Sequence, residues 1–244
     1  MNDKIKLDPR KWADLPEWDE LPAFMKNDAV RPYYDRLCKH RIELKLKRIF
    51  DFVVAWIMLV MLIIPIGVIA VLIKLDSPGP IFYRQKRVTT YGKIFKIHKF
   101  RTMVQNADKI GSAVTVSGDS RITKIGGCIR ELRLDELPQL LDIIEGTMSF
   151  IGTRPEVVKY VKKYSPEMMA TFLMPAGVTS EASIRYKDEA NLLNSADDID
   201  KVYIEHVLPQ KMKWNLESVW RFKFSREIVT MLKTVGVVLS KSYK

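Results

Sequence analysis

Two adjacent carboxylates, Asp135 and Glu136, are the residues of this chain best placed to do chemistry. An Asp that cations keep ionised can attack phosphorus and form an acyl phosphate, and a neighbouring acid can hold Mg²⁺ or move protons. The pair alone does not decide this, because acids at a helix start also offset the helix dipole. The context favours phosphate chemistry, since phosphate oxygens and a divalent metal can collect among the flanking basic residues, which are Arg121, Lys124, Arg130, Arg133 and Arg154.

The sequence contains no other recognisable catalytic motif. A Gly-Lys-Ser/Thr phosphate loop, a dinucleotide glycine fingerprint, a Ser nucleophile elbow and a HExxH helix are all missing. His40, His98 and His206 are scattered along the chain, and Cys38 and Cys128 lack partners at metal-ligand spacing. Neither a zinc site nor a disulfide framework is therefore expected.

An uncharged apolar run, residues 52–73, is expected to place these carboxylates near a membrane. As an unbroken helix it would be about 33 Å long, enough to cross a hydrocarbon core of about 30 Å. Pro65 removes a backbone hydrogen bond and predicts a break. Both flanks are rich in Lys and Arg, so the charges set no orientation. The residues alone leave two readings open, a re-entrant hairpin that returns to the cytoplasmic leaflet and a Pro-kinked span.

The remaining residues predict an α+β fold that is mainly helical and contains a small β-hairpin. The hairpin is expected from Ile81–Val88 and Lys93–Thr102, which are rich in β-branched and aromatic residues. A short helix is predicted at Ile122–Leu132, and a second begins near Asp135 and is closed by Gly146. Two C-terminal helices mix aromatic and basic residues. They are candidates either for amphipathic helices on a membrane surface or for helices with a core-facing apolar stripe and a solvated back. The later predicted helices are Glu156–Tyr164, Pro166–Leu173, Asp197–Val207 and Asn215–Leu239.

Composition narrows the class of protein and of partner. Forty basic and 29 acidic residues give a formal charge of +11, and the hydrophobic share of 47% is ample for a core, which excludes a disordered chain. The mean hydropathy of −0.07 excludes a multi-span transporter. Positive charge beside an apolar anchor points to an anionic partner, either lipid headgroups, nucleic acid or a phosphorylated small molecule. The first 30 residues are too polar for a signal peptide, so the soluble part is expected in the cytoplasm.

Six motifs in order carry a resemblance to a known family. Over residues 45–240 the chain resembles the bacterial sugar transferases, the monotopic polyprenyl-phosphate phosphoglycosyl transferases. The resemblance implies an enzyme that moves a phosphosugar from a nucleoside-diphosphate sugar, with UDP as the expected nucleotide, to polyprenyl (undecaprenyl) phosphate. This reaction begins a surface glycan. The motifs are Lys47-Arg-Ile-Phe-Asp-Phe52, the Pro-containing apolar run, Ser77-Pro-Gly-Pro-Ile-Phe82, Lys93-Ile-Phe-Lys-Ile-His-Lys-Phe-Arg-Thr-Met103, Leu134-Asp-Glu-Leu-Pro-Gln-Leu140 and Met148-Ser-Phe-Ile-Gly-Thr-Arg-Pro155.

The resemblance also implies a role for each matched residue. Asp135 would be the nucleophile that receives the phosphosugar, and Glu136 its partner, both near Mg²⁺ as metal ligands. Arg154 would bind substrate phosphate, and Arg101, in the basic strand, would steady a phosphate. Pro65 would be the bend of a re-entrant membrane helix.

The implied organisation has three parts. An N-terminal extension at 1–45 precedes a re-entrant membrane helix at 46–78 and a catalytic domain at 79–244. The catalytic domain would face the cytoplasm from the bacterial inner membrane. Membrane lipids are expected partners and nucleic acid is not, and the anchor and basic surface are compatible with a homodimer.

The chain departs from the family pattern at two places. Ile64 stands before Pro65, where many members have Ser, and the segment Met174–Tyr186 lacks an Arg and a Trp that many members carry there. Arg185 is a hypothetical replacement cation in that segment. Two other classes of protein are alternatives. One is a membrane-anchored nucleic-acid-binding protein that uses the basic hairpin, and the other is a lipid-surface scaffold without catalysis.

Overall fold

Helices dominate the computed structural model, which describes residues 6–107, 119–185 and 198–239, in agreement with the predicted fold class. The α-helices are α1 (Arg31–Cys38), α2 (Arg41–Asp76), α3 (Lys124–Glu131), α4 (Gln139–Glu145), α5 (Val158–Val161), α6 (Glu181–Arg185), α7 (Ile199–Val202), α8 (Leu208–Trp220) and α9 (Phe224–Leu239). The strands are β1 (Phe82–Val88), β2 (Ile94–Phe100), β3 (Met148–Ile151) and β4 (Ala176–Thr179). Shorter 3-10 helices lie at Pro9–Asp14, Trp18–Glu20, Ala23–Met25, Thr90–Gly92, Leu134–Glu136 and Glu167–Leu173, and a π-helical turn at Tyr203–Val207.

Helix α2 contains the apolar run and continues without interruption through Pro65. The predicted break at this proline is therefore not confirmed. The chain stays helical for 36 residues, which is about 54 Å at about 1.5 Å per residue. A long apolar helix can tolerate the loss of the backbone hydrogen bond that a proline removes. Among the described helices, α2 is the one long and apolar enough to cross a membrane.

Helix α2 contacts the rest of the protein on both sides of Pro65. Before the proline, Ala55 is buried in a core that includes Ile143 of α4. After it, Ile73 is buried in a core with Phe100 of β2 and Ile129 of α3. The opposite face carries exposed apolar side chains, which on a soluble protein would be costly to hydrate. They include Ile57, Val60, Met61, Ile63, Ile64, Val68 and Val71.

The β1–β2 hairpin confirms the predicted one and carries much of the basic charge. Its strands are antiparallel, and the register runs from Phe82 opposite Phe100 to Val88 opposite Ile94. The connecting turn contains Tyr91 in a left-handed conformation with φ 57°, and its ring is buried. The hairpin is therefore held at its turn by the core.

The second sheet, β3 with β4, is not predicted from the sequence. The strands are parallel, with Met148 opposite Ala176 and Ile151 opposite Thr179. Two glycines allow the backbones to approach, since a Cβ on Gly177 would lie 2.1 Å from the backbone nitrogen of Gly152. This contact fixes the start of the loop after β3 against β4.

Residues 6–40 form a packed layer on the body. Their prolines allow 3-10 helices and the short helix α1. Trp12 and Met25 are fully buried in the same core as Tyr160 and Phe172. The segment that the sequence marks as an extension is thus part of the hydrophobic core.

Replacing Trp12 by Ala is expected to lower the free energy of unfolding by about 3–5 kcal/mol, the usual cost of deleting a large buried aromatic side chain. Trp12→Phe is the matched variant, because it keeps a ring and removes Nε1, which has no hydrogen-bond partner in the described part of the chain. Its cost should be clearly smaller than that of Trp12→Ala, because most of the ring volume is kept. Denaturant unfolding of the protein in detergent micelles measures both values. Equal losses for the two variants would contradict a packed role for this ring.

The predicted helix Asn215–Leu239 is divided in two. Helix α8 ends at Trp220, and α9 begins at Phe224, whose backbone N–H donates to Glu43 of α2 at 2.7 Å. Exposed apolar side chains follow one side of α9 at Val229, Leu232 and Val235. A place for α9 on the membrane surface remains a prediction. Of the predicted helix Asp197–Val207, the first residue lies outside the described residues, and the rest corresponds to α7 and the π-helical turn.

Candidate active site

The two carboxylates lie on the 3-10 helix Leu134–Glu136, between α3 and α4. Arg133 precedes it in a left-handed conformation with φ 57°, which turns the chain out of α3. Pro138 follows, and α4 then runs to Glu145 and is closed by Gly146 at φ 88°, as predicted. The short helices on either side hold the pair in a fixed place.

Glu136 is enclosed by two cations. Lys99 donates from Nζ to Oε1 at 2.7 Å, and Arg154 donates from Nη2 to Oε1 and from Nη1 to Oε2, the latter at 3.3 Å. Burial alone would raise the pKa of Glu136, but Arg154 and Lys99 outweigh it and hold that pKa well below its ordinary value. Glu136 is therefore ionised and fully engaged at neutral pH.

Asp135 has a different environment from its neighbour. Lys99 Nζ is 3.8 Å from Oδ2, and no hydrogen-bond donor among the described residues reaches this carboxylate at hydrogen-bonding distance. Burial raises the pKa of Asp135, and the charge of Glu136 adds to this against the cations Lys99, Arg130 and Arg154. Two adjacent acids with pKa values pushed in opposite directions are suited to separate roles. Asp135 is the one whose oxygens remain available to a substrate.

Lys99 is the functional residue that sequence reasoning missed. It lies on β2 within the quoted basic motif and contacts both carboxylates, at 2.7 Å from Glu136 and 3.8 Å from Asp135. Its neighbour His98 donates its backbone N–H to Asp142 Oδ2 at 2.9 Å, and its Nδ1 lies 2.8 Å from Oδ1. Asp142 is buried on α4, so this contact fixes β2 against the helix that follows the carboxylates.

Arg154 is positioned by the second sheet. It follows β3 in the loop that Gly152 begins, and its Nη1 also donates to the carbonyl of Val178 in β4 at 3.3 Å. The structure therefore brings together Asp135, Glu136 and Arg154, as the sequence predicted. The pairing of β3 with β4 therefore positions the guanidinium of Arg154.

Arg101 is placed elsewhere by the structure. It is buried, and its guanidinium donates to the carbonyl of Ser77 at 2.7 Å and to that of Pro78 at 2.9 Å. Gly79 leaves the space, since a Cβ there would lie 2.1 Å from Arg101 Nη1. Arg101 thus donates hydrogen bonds to the backbone carbonyls that directly follow α2, so these contacts stabilise the fold.

Arg185, the hypothetical replacement cation, also lies apart from the carboxylates. It pairs with Glu181 at 2.9 Å, and its guanidinium lies 4.2 Å from the ring centroid of Trp214. The segment Met174–Tyr186 forms β4 and α6, and Tyr186 is outside the described residues.

A divalent metal fits this site through Asp135. In the described part of the chain no three His, Cys, Asp or Glu side chains converge as a metal site. Mg²⁺ is commonly held by one or two carboxylates together with substrate phosphates, so a second carboxylate is not required. Both oxygens of Glu136 already accept from cations, which leaves Asp135 as the protein ligand that the geometry offers.

The comparison with family models decides the relationship. The model described as bacterial sugar transferase matches residues 42–241, which is most of the chain. This chain belongs to the bacterial sugar transferase family. The family region begins at the first turn of α2 and includes Asp135, Glu136, Lys99 and Arg154.

Named relatives agree with this family. A UDP-N-acetylgalactosamine-undecaprenyl-phosphate N-acetylgalactosaminephosphotransferase of Aeromonas hydrophila is 34% identical over 70% of this chain and 38% of its own length. A putative undecaprenyl-phosphate N-acetylgalactosaminyl 1-phosphate transferase of Bacillus subtilis is 40% identical over 60% of this chain and 80% of its own. A UDP-glucose:undecaprenyl-phosphate glucose-1-phosphate transferase of Escherichia coli is 32% identical over 90% of this chain and 46% of its own. The chain therefore spans less than half of two of these proteins.

Proposed function

We propose that this protein is a phosphoglycosyl transferase that moves a phosphosugar from a UDP-sugar to undecaprenyl phosphate and so initiates a surface polysaccharide or glycoconjugate. One observation carries the proposal: Glu136 is neutralised by Lys99 and Arg154, while the adjacent Asp135 keeps an open carboxylate. Family membership and the names of the relatives support the same reaction class.

In the first step, a carboxylate oxygen of Asp135 attacks the phosphorus that carries the sugar. The bond from that phosphorus to the bridging oxygen breaks, and UMP leaves with the electron pair. The product is an acyl phosphate between Asp135 and the sugar. Lys99, which is 3.8 Å from Asp135, and Arg154 are placed to stabilise the negative charge on the phosphoryl oxygens.

In the second step, a phosphate oxygen of the polyprenyl phosphate attacks the same phosphorus. The acyl-phosphate bond breaks, Asp135 returns as a carboxylate, and the sugar is left on a lipid diphosphate. Glu136 holds Lys99 and Arg154 in place throughout, because both cations donate to it. The kinetics are accordingly ping-pong.

Mg²⁺ is the proposed cofactor, with Asp135 and the substrate diphosphate as its ligands. When bound it would neutralise diphosphate charge and favour departure of UMP. Chelation by EDTA should abolish UMP release, and added Mg²⁺ should restore it. Unchanged release in EDTA would remove the metal from the proposal.

The proposed location is the cytoplasmic face of the inner membrane, with α2 as an anchor that keeps both of its ends on that face. Its support is that residues on both sides of Pro65, such as Ala55 and Ile73, are buried against the body that holds Asp135. If α2 crossed the bilayer, one of these two contacts would have to form across the lipid from the body. Labelling of single cysteines placed at either end of α2 in intact cells tests this, since accessibility of one end from outside would contradict it.

The direct experiment is to trap the intermediate. The purified protein is incubated with Mg²⁺ and a panel of UDP-sugars without lipid acceptor, and the peptide that contains Asp135 is analysed by mass spectrometry. We expect one phosphosugar on Asp135, which undecaprenyl phosphate then removes. Salt-sensitive RNA binding with no turnover of any UDP-sugar would instead favour the nucleic-acid-binding alternative.

A further inference from the structure

A cavity of about 310 Å³ lies beside the loop that carries Arg154. Its walls come from Gly152 and Thr153 of that loop and from helices α6, α8 and α9. Thr153 directly precedes Arg154 in the chain, and the cavity lining includes neither Asp135 nor Glu136.

The cavity has more positive than negative side chains. Its acidic residues are already paired, as Glu181 lies 2.9 Å from Arg185 and Glu217 lies 3.2 Å from Arg221, while Glu227 pairs with Lys47. In the described structure, no carboxylate lies within ion-pair distance of the two remaining cations near the start of α9. Those two are Lys223 and Arg226.

The same cavity borders the apolar side of α9. Val229 lines it and is half exposed, and Leu232 and Val235 continue the exposed apolar side along the helix. Helix α9 also contacts the membrane anchor, since Glu227 accepts from Lys47 of α2 and Phe224 packs on Phe50. Cations and apolar groups side by side match an amphiphile with an anionic head.

We propose that this cavity is the docking site for the phosphate head of the polyprenyl phosphate acceptor as it arrives from the membrane. Lys223 and Arg226 hold the phosphate, and the apolar side of α9 receives the first part of the lipid chain. This inference rests on the proposed function for the identity of the lipid. A nucleotide is less suited, because Arg185 already occupies a face of Trp214, the aromatic ring in the cavity wall.

The test is binding of undecaprenyl phosphate in phosphatidylcholine nanodiscs, measured by microscale thermophoresis with full-length protein. Lys223→Ala/Arg226→Ala should weaken binding about tenfold or more, since each cation lost removes a charge-assisted hydrogen bond to phosphate. The matched control is Lys162→Ala/Lys163→Ala, which removes two exposed lysines outside the cavity lining. It should bind like wild type. The swap Lys223→Arg/Arg226→Lys should keep most of the affinity.

Two further binding measurements distinguish undecaprenyl phosphate from other anionic ligands. With nanodiscs that contain phosphatidylglycerol instead, the alanine pair should weaken binding by a clearly smaller factor than it does for undecaprenyl phosphate, and its affinity for UDP should equal that of wild type. Equal weakening for both lipids, unchanged undecaprenyl phosphate binding, or a loss of UDP binding would each overturn the proposal. Because binding needs no turnover, the result stands apart from whether Asp135 is the nucleophile.

Discussion

Asp135→Asn is expected to abolish UMP release, by about 10⁴-fold or more, as removal of a catalytic nucleophile does in other enzymes. The amide keeps the shape of the side chain but cannot form the acyl phosphate. Binding of UDP-sugar should persist, because Lys99 and Arg154 remain paired with Glu136. A coupled assay for UMP and a direct binding measurement separate the two effects.

The same substitution should leave the protein as stable or make it more stable. Burial raises the pKa of Asp135, so its contribution to stability is present at low pH and is lost as the pH rises and the carboxylate ionises. An Asn carries no charge at neutral pH and avoids this cost. The control is Glu131→Gln, an exposed acid at the end of α3, which should retain wild-type turnover. Near-normal turnover in Asp135→Asn, or a clear fall in Tm, would contradict the assignment.

Glu136→Gln should damage both activity and stability. The substitution leaves the largely buried Lys99 without its counter-charge, and breaking one side of a largely buried ion pair costs up to about 3 kcal/mol. Turnover should fall about 10²-fold, since Lys99 and Arg154 lose the group that orients them. Denaturant unfolding and the UMP assay measure the two losses.

The pH dependence gives a separate check on Glu136. Its pKa is lowered in the folded protein, so its stabilising contribution is present above its ordinary pKa of 4.5 and is lost as the pH falls below that value. The free energy of unfolding of Glu136→Gln should therefore lack this part of its decrease at low pH. In Glu136→Gln/Lys99→Met the buried cation is also gone, so stability should recover in part while activity does not. Additive losses in the double variant would show that the two side chains act independently.

Local signals explain what the sequence predicts well. The hairpin follows from two β-branched and aromatic segments around a turn, and the end of α4 follows from Gly146, which takes the left-handed conformation. The proximity of Asp135 to Arg154 follows from the quoted motifs. Each of these three predictions depends on neighbouring residues in the chain or on the family resemblance, and none of them requires knowledge of how the protein packs.

Long-range contacts explain what the sequence does not predict. Lys99 lies in β2 and Arg101 directly follows that strand, yet Lys99 contacts Glu136 and Arg101 contacts the backbone carbonyls just after α2. Their different roles depend on where the end of α2 lies in the folded protein, and a local sequence pattern does not predict that position. The parallel pairing of β3 with β4 and the burial of Trp12 likewise depend on segments far apart in the chain.

The packed N-terminal layer has a consequence for the order of folding. Trp12 leaves the ribosome before its core partners, since residues such as Tyr160, Phe172 and Val219 are synthesised well over a hundred residues later. Contacts so distant in sequence form slowly. Helix α2 is synthesised in between, so it can enter lipid before the layer closes. The residues of this layer are therefore made before the partners that bury them and reach their final places late, and nascent chains should stay protease-sensitive near Trp12 until α8 has been released.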